Sequence, residues 1–440
     1  MAGYSQLPKQ IKVMFDRVFE GFVDNNPLVN IGTIKKIGDK QEQQRSAGEW
    51  WERIPSIVPS YDGEDMTNYF QENTELLVPR TIDQIKNVPF KFGLLNGNDP
   101  SSIEMESRAA GEKLASDIEV AALDTLATWA STVIKTTTAP TGFADIALAD
   151  TRFNSLGINW NDRKAILASS HYNNMAGNLA SRETLNSPIT AEAYRRALVG
   201  RTAGFDTFKL QYTKRIAAAT STTSVATVNA SSLGYLIPQS WTAAIGGRKV
   251  PVDNRAMLLR ITHDANKRPA VGDRFTAAGV NEVHLVTKMD TGQPKTFTVL
   301  QIVDATTSTT YTDVMVNALI PPVSAIPGGS TDEQKRAVEQ YQNATAAIAN
   351  NAPITWLNTK AGDMSFFFAG RDLEILPGLI EPLRDSGMYL AHAYTDEGLP
   401  LVMLRQADIK TGATMFRFTT NFGVCVPEPI MAGVWLFDQT

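Results

Sequence analysis

Between Ile11 and Phe22, apolar residues Met14, Val18 and Phe22 recur every four positions, with Phe15 and Phe19 on the neighbouring line. This spacing predicts an amphipathic helix that Asn25-Asn26-Pro27 stops. Its other side carries Asp16, Glu20 and Asp24, which form either a solvated face or a docking face for a basic partner. A second, longer stripe runs through Ile103, Ala110, Leu114, Ile118, Ala121, Leu126, Trp129 and Val133. It predicts a helix from Ser102 to Thr137, roughly 50 Å long, ending before Pro140 and Gly142. Between the two lies a polar stretch that opens with Trp50, Trp51 and Arg53 and contains strand signals at Glu75 to Arg80 and Val88 to Leu94. A hairpin this polar buries little by itself, so it either lies across a neighbour or covers the chain's own core. After Gly142 the pattern predicts helices at Phe143 to Leu156, Tyr172 to Ala180 and Ala191 to Val199, and a strand at Lys164 to Ser169.

The pattern changes near Thr220. A Ser/Thr/Ala-rich run gives way to short alternating segments at Met257 to Ile261, Val283 to Thr287, Thr296 to Val303 and Val314 to Leu319. A soft stretch, Pro321 to Thr331, then leads to a helix expected over Asp332 to Asn350. This middle segment reads as a small β-rich domain inserted into a larger host. Its expected core is Leu258, Val271, Phe275, Val283, Leu285, Phe297, Val299 and Ile302. Downstream, strands are expected at Ile354 to Leu357, Ser365 to Ala369, Leu401 to Leu404, Thr414 to Thr420, Phe422 to Val426 and Gly433 to Phe437. Leu373 to Leu376 reads as leading into a loop or short helix at Pro377-Gly378. The class is α+β, with a long helix, an extended arm and a projecting insertion.

Composition narrows the function. A chain of 440 residues exceeds one ordinary core. Mean hydropathy is -0.16, and neither an eighteen-residue apolar run nor a signal-peptide pattern occurs, so synthesis in the cytoplasm and no membrane contact are expected. With 41 basic against 46 acidic residues, the chain lacks the excess charge of a phosphate-gripping protein. The one cysteine, Cys425, excludes an intrachain disulfide and is expected to be a small buried strand residue. His171, His263, His284 and His392 are scattered without ligand spacing, and Gly246-Gly247-Arg248-Lys249 lacks the rest of a phosphate loop. No catalytic residue, metal site or cofactor is expected, and the chain is not expected to be an enzyme.

Val252-Asp253-Asn254-Arg255, then Gly272-Asp273-Arg274-Phe275-Thr276-Ala277-Ala278-Gly279-Val280, then Phe297-Thr298-Val299-Leu300-Gln301-Ile302-Val303-Asp304 carry a resemblance, joined by Gly204-Phe205-Asp206, Arg417, Gly423-Val424 and Gly433-Val434. In this order they resemble the major capsid proteins of tailed double-stranded DNA phages of the short-tailed P22-like group. The resemblance implies an HK97-type shell fold with a long spine helix, an extended arm or loop and an inserted β-barrel. It divides the chain into an N-terminal arm (1–48), an extended loop (49–100), a peripheral domain (101–200), the inserted barrel with its exit helix (220–350), and an axial domain with returning peripheral strands (201–219 and 351–440). It implies a virion shell subunit that forms pentamers and hexamers of an icosahedral head, with seven quasi-equivalent positions. The implied partners are an internal scaffolding protein, a portal, packaged DNA held without sequence-specific binding, and in some shells a decoration protein. Asp16, Glu20 and Asp24 then become candidates for scaffold binding, and Trp50, Trp51, Arg53 and Arg80 for contacts between subunits. The alternatives from other classes are the shell of a bacterial compartment and a phage-encoded hydrolase with a substrate-binding insertion.

Overall fold

The computed structural model describes residues 9–24, 31–36, 49–54, 60–67, 70, 75–92, 100–180, 201–220, 226–229, 238, 241–243, 249–265, 267–303, 310–326, 328, 330–370, 372–380, 389–396, 398–407, 410 and 413–439. The chain divides into a first unit of residues 1–50, 79–125 and 373–425 and a second of 51–78, 126–372 and 426–440. The helix expected at Ala191 to Val199 lies outside the described residues.

In the first unit, α1 (Lys9–Asp24) buries Met14, Phe15, Val18 and Phe22 against Ala110, Leu114, Ala115 and Ile118 of α2 (Pro100–Trp129). The helices meet where side chains are missing. A Cβ on Gly111 would stand 2.2 Å from the Val18 carbonyl oxygen, and one on Gly21 would stand 2.9 Å from that of Arg108. Only glycine permits this approach. The other wall of the core is a six-stranded sheet in the order 33–34, 374–377, 414–425, 400–407, 389–394, with 84–92 also paired to 414–425. Its contribution includes Ile375, Leu401, Met403 and Phe418.

Several expectations change here. The helix expected to reach Thr137 ends at Trp129, because β-branched Thr132, Val133 and Ile134 pair in parallel with Gly433 to Trp435 instead. The 373–376 segment is itself part of a strand, Glu374–Pro377, between 33–34 and 414–425, and the described residues that follow it, 378–380, are loop. The two strands expected at 414–420 and 422–426 are one, Thr414–Cys425.

In the second unit, a seven-stranded sheet runs in the order 132–135, 432–436, 362–369, 163–167, 205–209, 201–202, with 215–216 also on 362–369. Against it pack α3 (Phe143–Leu156) and α4 (Ser169–Ala180), through Ile146, Phe153, Tyr172 and Met175. The inserted segment forms a second sheet of six strands, in the order 227–228, 256–262, 311–317, 290–302, 274–283, 354–356. That sheet closes on itself. Val228 N–H donates to Ala352 at 3.0 Å, Asn351 N–H to Val228 at 2.8 Å and Ile354 N–H to Ala226 at 2.8 Å, so the first strand joins the last and no open edge remains along this seam. Helix α5 (Asp332–Tyr341) starts at a capping box in which Thr331 and Gln334 exchange bonds of 3.3 and 2.9 Å.

The barrel corrects four expectations. Ile354–Trp356 is its last strand, so a boundary at 350 cuts through it. Val283 to Thr287 is not a strand: the strand is Arg274–Val283, and the chain turns at 284–288, where Lys288 takes φ 57°. Helix α5 stops at Tyr341 rather than Asn350. Strand 256–262 turns Met257, Leu259 and Ile261 inward, so Leu258 is exposed, as is Val271 in the loop before Gly272.

Candidate functional site

The insertion leaves and rejoins its host through one side chain. Asn358 donates from Nδ2 to the Ala217 carbonyl at 3.0 Å and to Asp273 Oδ1 at 2.9 Å, and its Oδ1 accepts the Arg274 N–H at 3.0 Å. Its own carbonyl accepts from Ala219 N–H at 2.8 Å. The chain entering the barrel, the chain leaving it and the turn at Gly272-Asp273 are therefore held at one point. Burial raises the Asp273 carboxyl above its ordinary value, while bonds from Ala270 N–H and Asn358 work the other way.

Beside this neck, Arg274 is fully buried and spans from the barrel to the C-terminal end of α2. Nη2 donates to the Ala127 carbonyl at 2.6 Å, and Nη1 donates to the Ala130 carbonyl at 2.9 Å and the Thr298 hydroxyl at 3.0 Å. A helix ends in carbonyls without intrahelical partners and with partial negative charge, so a guanidinium is chemically suited to close it. Desolvation pushes the Arg274 pKa down to about 10, and the group still carries its charge at neutral pH. Arg255 adds a second clamp: its guanidinium lies 4.1 Å from the Trp129 ring centroid, pairs with Asp253 at 2.8 Å and donates to the Val426 carbonyl at 2.9 Å. Thr296 and Asn317 of the barrel also bond backbone at Ser131, Val133 and Trp129.

The other sequence candidates are placed as follows. Asp16 and Glu20 are exposed on α1, and Glu20 shares Arg17 with Glu104 at 2.7 and 2.9 Å; the side chain of Asp24 lies outside the described residues. Trp50 is exposed, Trp51 half-buried, and Arg53 pairs with Glu75 at 2.6 Å on the surface. The Tyr341 hydroxyl donates to the Ile54 carbonyl at 3.2 Å and accepts from Leu76 N–H at 3.3 Å, fixing the base of the polar excursion within its own unit. Arg80 is not a free surface residue: it is buried and forked onto Glu374, its Nη2 bond measuring 3.1 Å, because its alternation on strand Leu76–Thr81 turns it inward. Phe275, Phe297 and Val299 lie in the barrel core, with Ile302 packed on it from the edge. Leu285 instead packs against the Phe153 and Trp435 cluster of the host, since it sits on the turn outside the barrel. His171 bonds Ser365 at 2.8 Å and His263 bonds Thr312 at 2.8 Å. Among the described residues no helix is long and apolar enough to cross a membrane.

A sequence model of the family described as "P22 coat protein - gene protein 5" matches residues 1–438. The chain belongs to the P22 coat protein family. It is a major capsid protein, a structural subunit that associates with its own copies to form the icosahedral phage head, and it resides in the virion capsid. Solved structures similar to it include the "CUS-3 coat protein I-domain", 33% identical over 30% of this chain and 96% of that one, TM-score 0.21. "Mycobacterium phage Che8" is 11% identical over 92% and 93%, TM-score 0.40, and the "Capsid structure of the Cyanophage P-SCSP1u" is 11% identical over 93% and 87%, TM-score 0.41. The neck and the grip on the end of α2 draw on residues of the three segments that carry the P22-like resemblance: Asp253 and Arg255 of Val252 to Arg255, Asp273 and Arg274 of Gly272 to Val280, and Thr298 of Phe297 to Asp304. Asn358 had no such signal, because a lone asparagine after a short strand carries no pattern.

Proposed function

We propose that this coat subunit co-assembles with an internal scaffolding protein through the acidic face of α1, and closes a shell of seven quasi-equivalent positions by non-covalent contacts alone. The observation that carries the scaffold reading is the division of α1: its apolar face is spent on α2, and Asp16 and Glu20 face solvent. A basic partner segment would compete with Arg17 for Glu20 and gain charge-assisted bonds. The polar excursion around Trp50, Trp51 and Arg53 reaches a neighbouring subunit, and the barrel stands on the outer surface, where a decoration protein would have access. DNA enters through a portal and is enclosed without sequence-specific contact, consistent with a formal net charge of -5. The protein has no catalytic task; the buried histidine contacts with Ser365 and Thr312 support a packing role for those rings.

Reversing the signs of Asp16, Glu20 and Asp24 together tests the scaffold contact. Recruitment into procapsids, measured by sedimentation with quantified scaffold, is expected to fall strongly at low salt and less at high salt, where screening already weakens it. Unchanged co-assembly at low salt would refute the docking face. Reconstruction of the particles decides the number of subunits and the face that carries the barrel.

A further inference from the structure

The second unit contains a cavity of about 360 Å³. Ile54, Leu76, Leu285 and Ile430 give it apolar walls, and Lys295 lines it. Lys295 is only 4% exposed, and among the described residues its ammonium has no hydrogen-bond acceptor and no carboxylate at ion-pair distance. The charged groups around it are already engaged. Lys288 donates to the Gln340 and Gln342 carbonyls at 2.9 and 3.1 Å, Arg255 pairs with Asp253, and Glu282, whose field favours the charged lysine, is held by Arg152 at 2.9 Å. Glu428 is the one acidic residue among the lining, against Lys288 and Lys295, with Arg255 neutralised by Asp253, so the interior favours an anion. A buried ammonium without a partner is costly, and a ligand that supplies the missing acceptor recovers that cost.

We propose that this cavity binds a small monocarboxylate with an apolar tail, its carboxylate on the Lys295 ammonium and its tail along the apolar wall. The volume lies at the small end of ligand sites, which suits an alkanoate of about eight carbons. Burial brings the Lys295 pKa down to about 8, and that of Lys288 in the same lining down to about 8, so both ammonium groups are mainly charged at pH 7 and mainly neutral at pH 9. Octanoate binding to the purified full-length coat monomer, followed by calorimetry, should weaken about tenfold between those two pH values, in line with the loss of charged lysine. Octanol, equal in tail and lacking the charge, should bind at least tenfold more weakly at pH 7. Lys295→Met should abolish octanoate binding, and Lys295→Arg should keep it at pH 7 and reduce its decline at pH 9 to the part that Lys288 contributes. If Lys295→Met fails to fold, the wild-type pH series and the octanol comparison still decide. Equal binding of octanol, a pH-independent affinity, an unaltered decline in Lys295→Arg, or no saturable binding at millimolar octanoate would each overturn the assignment. Binding that persists in assembled shells supports a free carboxylate as the ligand. Binding lost on assembly would overturn it in favour of a carboxylate supplied by a neighbouring subunit.

Discussion

Truncating Arg274 to alanine removes three bonds from one buried guanidinium: two to carbonyls at the end of α2 and one to Thr298. Bonds from a charged donor contribute roughly 1.5–3 kcal/mol each, so the gross loss of three is about 5–9 kcal/mol. The wild-type side chain also carries a burial cost, since lowering its pKa to about 10 corresponds to a penalty on the order of 3 kcal/mol. Arg274→Met, which keeps most of the volume, is therefore expected to cost about 2–6 kcal/mol, and Arg274→Ala, which also opens a cavity, at least about 1 kcal/mol more. Urea unfolding of the monomer reads this directly. Trp129 and Trp356 lie in the same unit as Arg274, and their fluorescence reports its transition. A methionine variant as stable as wild type would refute the reasoning, because the three bonds would then do no more than offset the burial of the charge.

Phe275 stacks on Phe297 at 5.3 Å and meets Trp356 edge-on at 5.5 Å, so Phe275→Ala should destabilise the barrel by about 3–5 kcal/mol in the same urea assay; a loss under about 1 kcal/mol would contradict its core position. An isolated fragment of residues 217–359 should give a folded β domain by circular dichroism, whereas 220–345 should not, because it lacks strand Ile354–Trp356 and Asn358; equal folding of both would count against closure at this seam. Burial holds the His171 pKa below its ordinary 6.5, with the field of Asp363 opposing. The folded state therefore binds fewer protons than the unfolded one, stability is full above about pH 6.5 and falls as pH drops towards the lowered value, and His171→Gln should flatten that decline between pH 7.5 and 5. Intact shells boiled in detergent should run as monomer-sized bands, and a ladder of linked oligomers would overturn non-covalent closure.

Local signals are legible where they are redundant. Helix α3 carried both its start and stop, with Asp145 bonding the Gly142 N–H at 3.1 Å and Gly157 closing the end at φ 78°, and Phe143 to Leu156 follows directly from the sequence. The end of α2 was obscure because Val133 continues the helical spacing while its neighbours favour a strand, and only the distant partner 432–436 decides between them. Adjacent Leu258 and Leu259 offer two equivalent parities, and pairing of Leu259 with Val314 selects the inward one. Arg80 stands in the sequence as a candidate for contacts between subunits because its counter-charge, Glu374, is far away in sequence. Within the candidate site, Arg274 and Asp253 were visible as parts of a resemblance, but the helix end they serve was not, since carbonyl groups leave no trace in a sequence.

The meeting of Ala217, Ala219 and Asn358 at one point bears on the order in which the chain folds. Arg215–Ile216 pairs with Gly362 and Asp363 across an intervening loop on the order of 150 residues, whose closure would cost about 4 kcal/mol of chain entropy. Once the barrel has formed and its neck is tied, the same two strands are separated by an effective loop of only about five residues, and the cost falls by about 3 kcal/mol. That difference corresponds to roughly two orders of magnitude in the probability of the pairing. The insertion thus acts as a nucleus for the sheet that hosts it: amides of 256–262 and 311–317 should gain exchange protection before those of 362–369 in a pulse-labelled refolding experiment, and the reverse order would exclude it.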